Sequence, residues 1–255
     1  MNLKSCFFFC LISGITILFS PGCSKNDPVT GLPPINGANN KNTGSSGKDF
    51  LVPDNFNSLK IEIQYMPGFQ PDAASVNNIT SFLSSLINKP GGISVAQQQI
   101  PTGGKASYSI NDIATVEQNN RIYFNSENQL AVYVLIADGN YSDPNVLGVA
   151  YRNTSLCLFG KKIFENSGGV GQASRTKLLT TVAEHEFGHL LGLVDLGTPM
   201  QTNHKDAAHG NHCNVQSCLM YYASETTDLL GFLITGNIPT LDSQCTNDLK
   251  SNGGK

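Results

Sequence analysis

The chain has 255 residues, 40% of them hydrophobic, and a formal charge of −3. Setting its ends aside leaves one domain of about 200 residues, enough to bury a sizeable core. So small a charge supplies no basic field for nucleic acid and no polybasic stretch for an anionic membrane surface, which leaves function to particular sites.

At the N-terminus Lys4 precedes an almost unbroken apolar run over residues 7–19, followed by Ser20-Pro21-Gly22-Cys23. The run is too short to span a bilayer comfortably and reads as a signal segment over residues 1–22. A small residue followed by Cys after such a run resembles a bacterial lipoprotein signal. That resemblance implies a lipid anchor on Cys23 and a place in the cell envelope, at the outer membrane. Residues 24–48 are rich in Asn, Gly, Ser, Pro and Lys and read as a flexible tether, so that the segment 23–49 precedes a folded domain over residues 50–255.

Residues 59–65 alternate apolar and polar and end at Pro67-Gly68, a strand and a turn. Residues 72–88 carry Val76, Ile79, Phe82, Leu83, Leu86 and Ile87 at helical spacing, closed by Pro90-Gly91-Gly92. Further strands are expected at 93–100, 121–124, 130–137 and 146–159, the last with a break inside it. Ser174 caps a helix running to Leu191, which Gly192 ends. The chain is then loop-like through Asn214, and helices are expected over 225–233 and 239–250. This order of elements predicts an α+β domain: one mixed sheet, an active-site helix and a small C-terminal helical part.

All five histidines fall between His185 and His212, and the first two stand in His185-Glu186-Phe187-Gly188-His189. Residues four apart share a helix face, so both imidazoles reach one tetrahedral zinc ion while Glu186 leans toward its open position. Zinc lowers the pKa of its bound water to about 7, and a neighbouring carboxylate takes the proton as that water attacks a carbonyl. The pattern predicts a zinc hydrolase with Glu186 as general base.

Extended to His185-Glu186-x-x-His189-x-x-Gly192, and followed by Cys218-Leu219-Met220-Tyr221-Tyr222, the sequence resembles the metzincin clan of zinc peptidases. The resemblance implies a metzincin-like catalytic domain, peptide or protein substrates, a turn at Met220 beneath the metal, and Tyr222 as a donor to the developing oxyanion. Two subfamilies compete for the third zinc ligand. Asp195, three residues after Gly192, is placed as in the snapalysin variant. His212, directly before the Cys213 and Cys218 pair, is placed as in archaemetzincins, at the cost of a long insertion between Leu193 and Asn211 that loop entropy tolerates. The contiguous pattern favours His212, with Asp195 as the alternative.

His204 and His209 read as solvated loop residues. With Cys23 acylated, Cys157, Cys213, Cys218 and Cys245 remain for an oxidising compartment, and the expected pairing is Cys213 with Cys218 and Cys157 with Cys245. The archaemetzincin run also carries a later Cys pair where this chain has only Cys245. The competing function is a non-catalytic binding or adhesion lipoprotein that uses zinc for stability alone. Glu186 argues against it, since a structural site prefers four protein ligands and needs no adjacent base. Mass analysis of the mature N-terminus is expected to find Cys23 acylated, and Cys23→Ser to shift the protein out of the detergent phase. An unmodified first residue other than Cys23 contradicts the anchor.

Overall fold

The computed structural model describes residues 31–255; the signal segment, Cys23 and the start of the tether lie outside the described residues. In chain order the elements are α1 (Gly47–Leu51), β1 (Ser58–Tyr65), α2 (Ala73–Leu86), β2 (Ile93–Gln99), β3 (Ser107–Tyr108), α3 (Ile110–Asn120), β4 (Gln129–Ala137), β5 (Asn140–Tyr141), β6 (Gly148–Arg152), β7 (Ser155–Phe159), α4 (Gly160–Glu165), α5 (Arg175–Leu190), α6 (Leu229–Leu233) and α7 (Ser243–Ser251). Short 3-10 turns lie at Gly37–Asn39 and Tyr222–Glu225. No helix among the described residues is long and apolar enough to cross a membrane.

The sheet runs in the order β2-β1-β4-β7-β6, parallel except for β6, which pairs antiparallel with β7 at the edge. It is a mixed sheet between helices, as the α+β expectation holds. Successive residues of β4 point to opposite layers. Leu130, Val132, Val134 and Ile136 pack with Val76, Ile79 and Leu83 of α2 and Leu178 and Val182 of α5. Tyr133, Leu135 and Ala137 pack with Ile113 and Ala114 of α3 on the other side. A strand buried on both faces must be apolar throughout, which is why this segment shows no alternation.

Several expectations change. Residues 121–124 are not a strand, because the N–H groups of Ile122 and Tyr123 donate to the Glu62 carboxylate of β1 at 2.9–3.1 Å, leaving no ladder to join. α3 went unread in the sequence although Ser109 and Asp112 form a capping box at its start. Residues 146–159 break at Asn153 and Thr154 into the β6–β7 hairpin. The helices expected over 225–233 and 239–250 start later, at Leu229 and Ser243.

The described part of the expected tether, residues 31–48, is packed. Asn39 is fully buried, its amide donating to Asn125 Oδ1 at 2.9 Å and Thr154 Oγ1 at 2.8 Å. Asn153 N donates to Lys41 O at 3.0 Å, and Asn153 Nδ2 to Ser46 Oγ at 2.9 Å. The physical reason is that Asn39 and Ser46, counted as tether composition, here pair with the buried side chains of Thr154 and Asn153 in the β6–β7 turn. Gly44 and Gly47 also let the segment lie against the end of α5 and the chain after it: a Cβ on Gly47 would lie 2.6 Å from Leu191 O and one on Gly44 2.5 Å from Leu196 O.

Under the sheet, Glu117 of α3 binds Arg121 Nη1 at 2.7 Å, Arg152 Nη1 at 3.1 Å and Ser155 Oγ at 2.5 Å, with Glu117 and both arginines inaccessible. Arg152 Nη2 also donates to Pro33 O at 2.5 Å, tying the N-terminal segment to this network. Removing one partner strands buried charge, so Glu117→Gln is expected to cost about 3–5 kcal/mol in urea unfolding. A change within 0.5 kcal/mol, roughly that of a surface substitution, contradicts the network.

Candidate metal centre

α5 starts at Ser174, whose side chain accepts from Lys177 N, and residues 178–190 are all buried. At its end Gly192 adopts φ +80°, and Val194 (φ 51°) and Asp195 (φ 67°) continue in the left-handed region. The chain therefore turns sharply off the helix axis. Asn211 Nδ2 donates to Val194 O at 3.1 Å, closing the inserted loop back onto this turn. That contact returns His212 to the helix.

Ring centroids of His185 and His189 lie 4.7 Å apart, and His212 stands 5.3 and 5.1 Å from them. Each of two rings is held by its far nitrogen: His185 Nδ1 lies 2.7 Å from Leu219 O and His212 Nδ1 2.6 Å from His209 O. Both contacts leave Nε2 directed at the centre, the arrangement by which outer groups orient metal-binding imidazoles. Met220 packs beneath, where a Cβ on Gly188 would lie 2.2 Å from its Sδ. A side chain at 188 would force the Met220 thioether to move.

Glu225 was read in the sequence as the start of a helix, and the structure puts its carboxylate among the imidazoles. Its oxygens stand 3.5 Å from His185 Nε2, 3.7 Å from His189 Nε2 and 3.3 Å from His212 Nε2. Burial alone would raise its pKa, but the three imidazoles around it outweigh this and hold the carboxyl well below its ordinary range. His189 is pushed down to about 4, chiefly by burial. Burial, and then Glu225, drive the Glu186 carboxyl well above its ordinary value. Nothing in the sequence spacing singles out Glu225.

His185 Nε2, His212 Nε2 and both oxygens of Glu186 are buried without a hydrogen-bond partner. Buried polar atoms cost free energy unless paired. Together with donor atoms lying within 4.8 Å of one another, this is what a metal site looks like when described by its ligands alone. Imidazole and carboxylate donors suit zinc. Gly148 brings β6 close to this carboxylate, since a Cβ there would lie 2.8 Å from Glu186 Oε1.

Other residues singled out in the sequence lie elsewhere. Asp195 is outside the group, its exposed carboxylate 3.0 Å from Lys205 Nζ. Tyr222 stacks on His209 at 3.7 Å, and no hydrogen bond among the described residues joins it to the three histidines.

The expected disulfides are absent: Cys157, Cys213, Cys218 and Cys245 are free thiols. Cys157 belongs to the sheet layer facing α3, away from the other three, and burial pushes its thiol well up. Cys213, Cys218 and Cys245 instead converge, with Cys218 and Cys245 Sγ atoms 3.6 Å apart. His204, expected in solvent, is fully buried beside them, its Nδ1 3.4 Å from Cys213 Sγ and 3.9 Å from Cys245 Sγ. Its Nε2 lies 2.7 Å from Asp248 Oδ2. Hydrogen bonds from Cys218 and Cys245 favour the thiolate at Cys213. Three sulfurs and an imidazole oriented by a carboxylate fit a closed, structural zinc site.

The fold is similar to that of a crystal structure of archaemetzincin from Methanopyrus kandleri, with a TM-score of 0.51 and 16% sequence identity over 79% of this chain and 98% of that one. At that identity the likeness concerns the fold. No family model matches the sequence, and no curated protein matches it. For the thiol cluster, zinc analysis is expected to show metal that Cys245→Ser releases together with a lowered melting temperature. Unchanged metal content and melting in that variant contradict the site.

Proposed function

We propose that the chain is a zinc-dependent peptidase, with His185, His189 and His212 holding the metal and Glu186 acting as the general base. The observation that carries this reading is the pair of orphaned Glu186 oxygens buried beside three convergent imidazoles. A carboxylate kept without a partner at such cost is a group awaiting a proton. The fold likeness to archaemetzincin supports the same class. When bound, zinc supplies Lewis acidity to a substrate carbonyl and acidifies a water.

The chain's own residues do the rest. Burial raises the Glu186 carboxyl above its ordinary range, and in its ionised form it accepts a proton and returns it to the departing amine. The Leu219 and His209 carbonyls keep the imidazoles fixed. β6, at the sheet edge beside Glu186, offers backbone groups to an extended peptide. Tyr222 serves as a rim donor to the developing oxyanion once it leaves its stack on His209. The anchor on Cys23 would hold this domain at the bacterial envelope.

Glu186→Gln keeps size and burial while removing the base. Zinc content and melting are expected to stay as in the parent, with hydrolysis of a peptide library falling about 10²- to 10⁴-fold. Full turnover with zinc bound excludes the mechanism.

A further inference from the structure

The segment after the Met220 turn does two things at once. It inserts the Glu225 carboxylate between the three histidines, with an oxygen within 3.7 Å of each Nε2. It also takes hydrogen bonds at the start of the edge strand. Leu147 N donates to Glu225 O at 2.8 Å, Thr227 N donates to Asn145 O at 2.9 Å, and Val146 and Thr226 form an antiparallel bridge. Residues 225–227 therefore lie as an added strand beside 145–147, immediately before β6, where an extended peptide running along that edge would continue.

A carboxylate oxygen at about 2.0–2.2 Å is an accepted zinc ligand, and a catalytic site needs its fourth position free for water or substrate. The Glu225 side chain is mostly covered, being 21% exposed, so an ion held by the histidines meets it before it meets solvent. Its carbonyl is held by Leu147 N, and two residues on Thr227 N is held by Asn145 O. We propose, building on the peptidase reading, that Glu225 is a fourth protein donor to the metal of His185, His189 and His212, and that strand pairing of its segment keeps the centre closed until a peptide takes that edge. A peptide that pairs with β6 competes for the bonds that hold residues 225–227, and so binding at the edge and release of Glu225 become one event. Loose small peptides that do not pair with the edge leave the centre closed.

The test compares the full chain with Glu225→Ala and Glu225→Gln after placing Co2+ at the histidine site with zinc kept in the Cys213 cluster, the absence of near-ultraviolet thiolate-to-cobalt absorption confirming that the visible bands report the histidines alone. Both variants are expected to change the visible bands and to weaken metal binding at that site at least ~10-fold in chelator competition, since even an outer-shell partner is worth that much. At saturating metal, Glu225→Ala is expected to hydrolyse short peptides faster than the parent. Glu225→Gln preserves volume, and matching circular dichroism in it guards against misfolding. Parent-like bands and affinity in both variants overturn the assignment as a donor; slower turnover at saturating metal overturns the closure. His189→Ala separates this from the underlying reading. If it too leaves the cobalt bands unchanged, no metal sits at the histidines and the peptidase reading itself fails. If it abolishes them while Glu225→Ala does not, only the role of Glu225 falls.

Discussion

Burying His185, Glu186 and His189 in the middle of α5 is the constraint to which the surrounding structure answers. Residues 178–190 are all buried, so these three polar side chains must be satisfied inside protein. The fold meets part of that cost with backbone carbonyls. Leu219 O takes the Nδ1 of His185, and the turn that provides it is seated by Met220 in the space left by Gly188. His185 Nε2, His189 Nδ1 and both Glu186 oxygens make no hydrogen bond in the protein. Apolar packing against β4 and β7 keeps α5 in place, and the polar remainder marks where function enters.

The sheet explains why this helix can be held so firmly. β4 and β7 are buried on both faces, while β1 turns Leu59, Ile61 and Ile63 toward α2 and α5 and Glu62 and Gln64 toward the side that α3 covers. Edge strand β6 is the exception in direction, and it comes beside Glu186 at Gly148. The N-terminal segment braces the far end of the same hairpin: Thr43 Oγ1 donates to Ala150 O, and Asn153 binds Lys41 and Ser46. Both ends of the edge are thus occupied by the chain itself, one by residues 41–46 and the other by residues 225–227.

What the sequence made legible follows from how local each signal is. The His185 and His189 pair needs only a helix, and the helix announces itself through Ser174, its apolar face and Gly192. The strands of β1 and β4 show because burial writes directly into composition. Asn39 could not be read this way, since an Asn that caps a distant turn is spelled like one in a tether. His204 looked solvated for the same reason: its partners Asp248 and Cys245 come from α7, far along the chain. Cysteine spacing suggested disulfides, but pairing depends on which thiols the fold assembles, and Cys157 is turned to the opposite face of the sheet. Glu225 has no spacing rule at all. It reaches the histidines only because residues 225–227 pair with 145–147.

The adjacency of His212 and Cys213 gives the two donor clusters a mechanical link. His212 faces His185 and His189, while its neighbour Cys213 joins Cys218, Cys245 and His204. Between them the backbone is short and held: Asp206 N donates to His212 O at 2.7 Å, and Cys213 N to Met220 O at 2.7 Å. The inserted loop after α5 would otherwise leave His212 at the end of a long, entropically free excursion. Fixing Cys213 within a cross-linking cluster shortens that excursion to a single residue. The thiol cluster therefore positions an imidazole that it does not itself contact, and His204 ties the insertion between Leu193 and Asn211 into the same cluster. Stability in the C-terminal part of the domain and geometry at the histidines are, on this arrangement, properties of one short stretch of backbone.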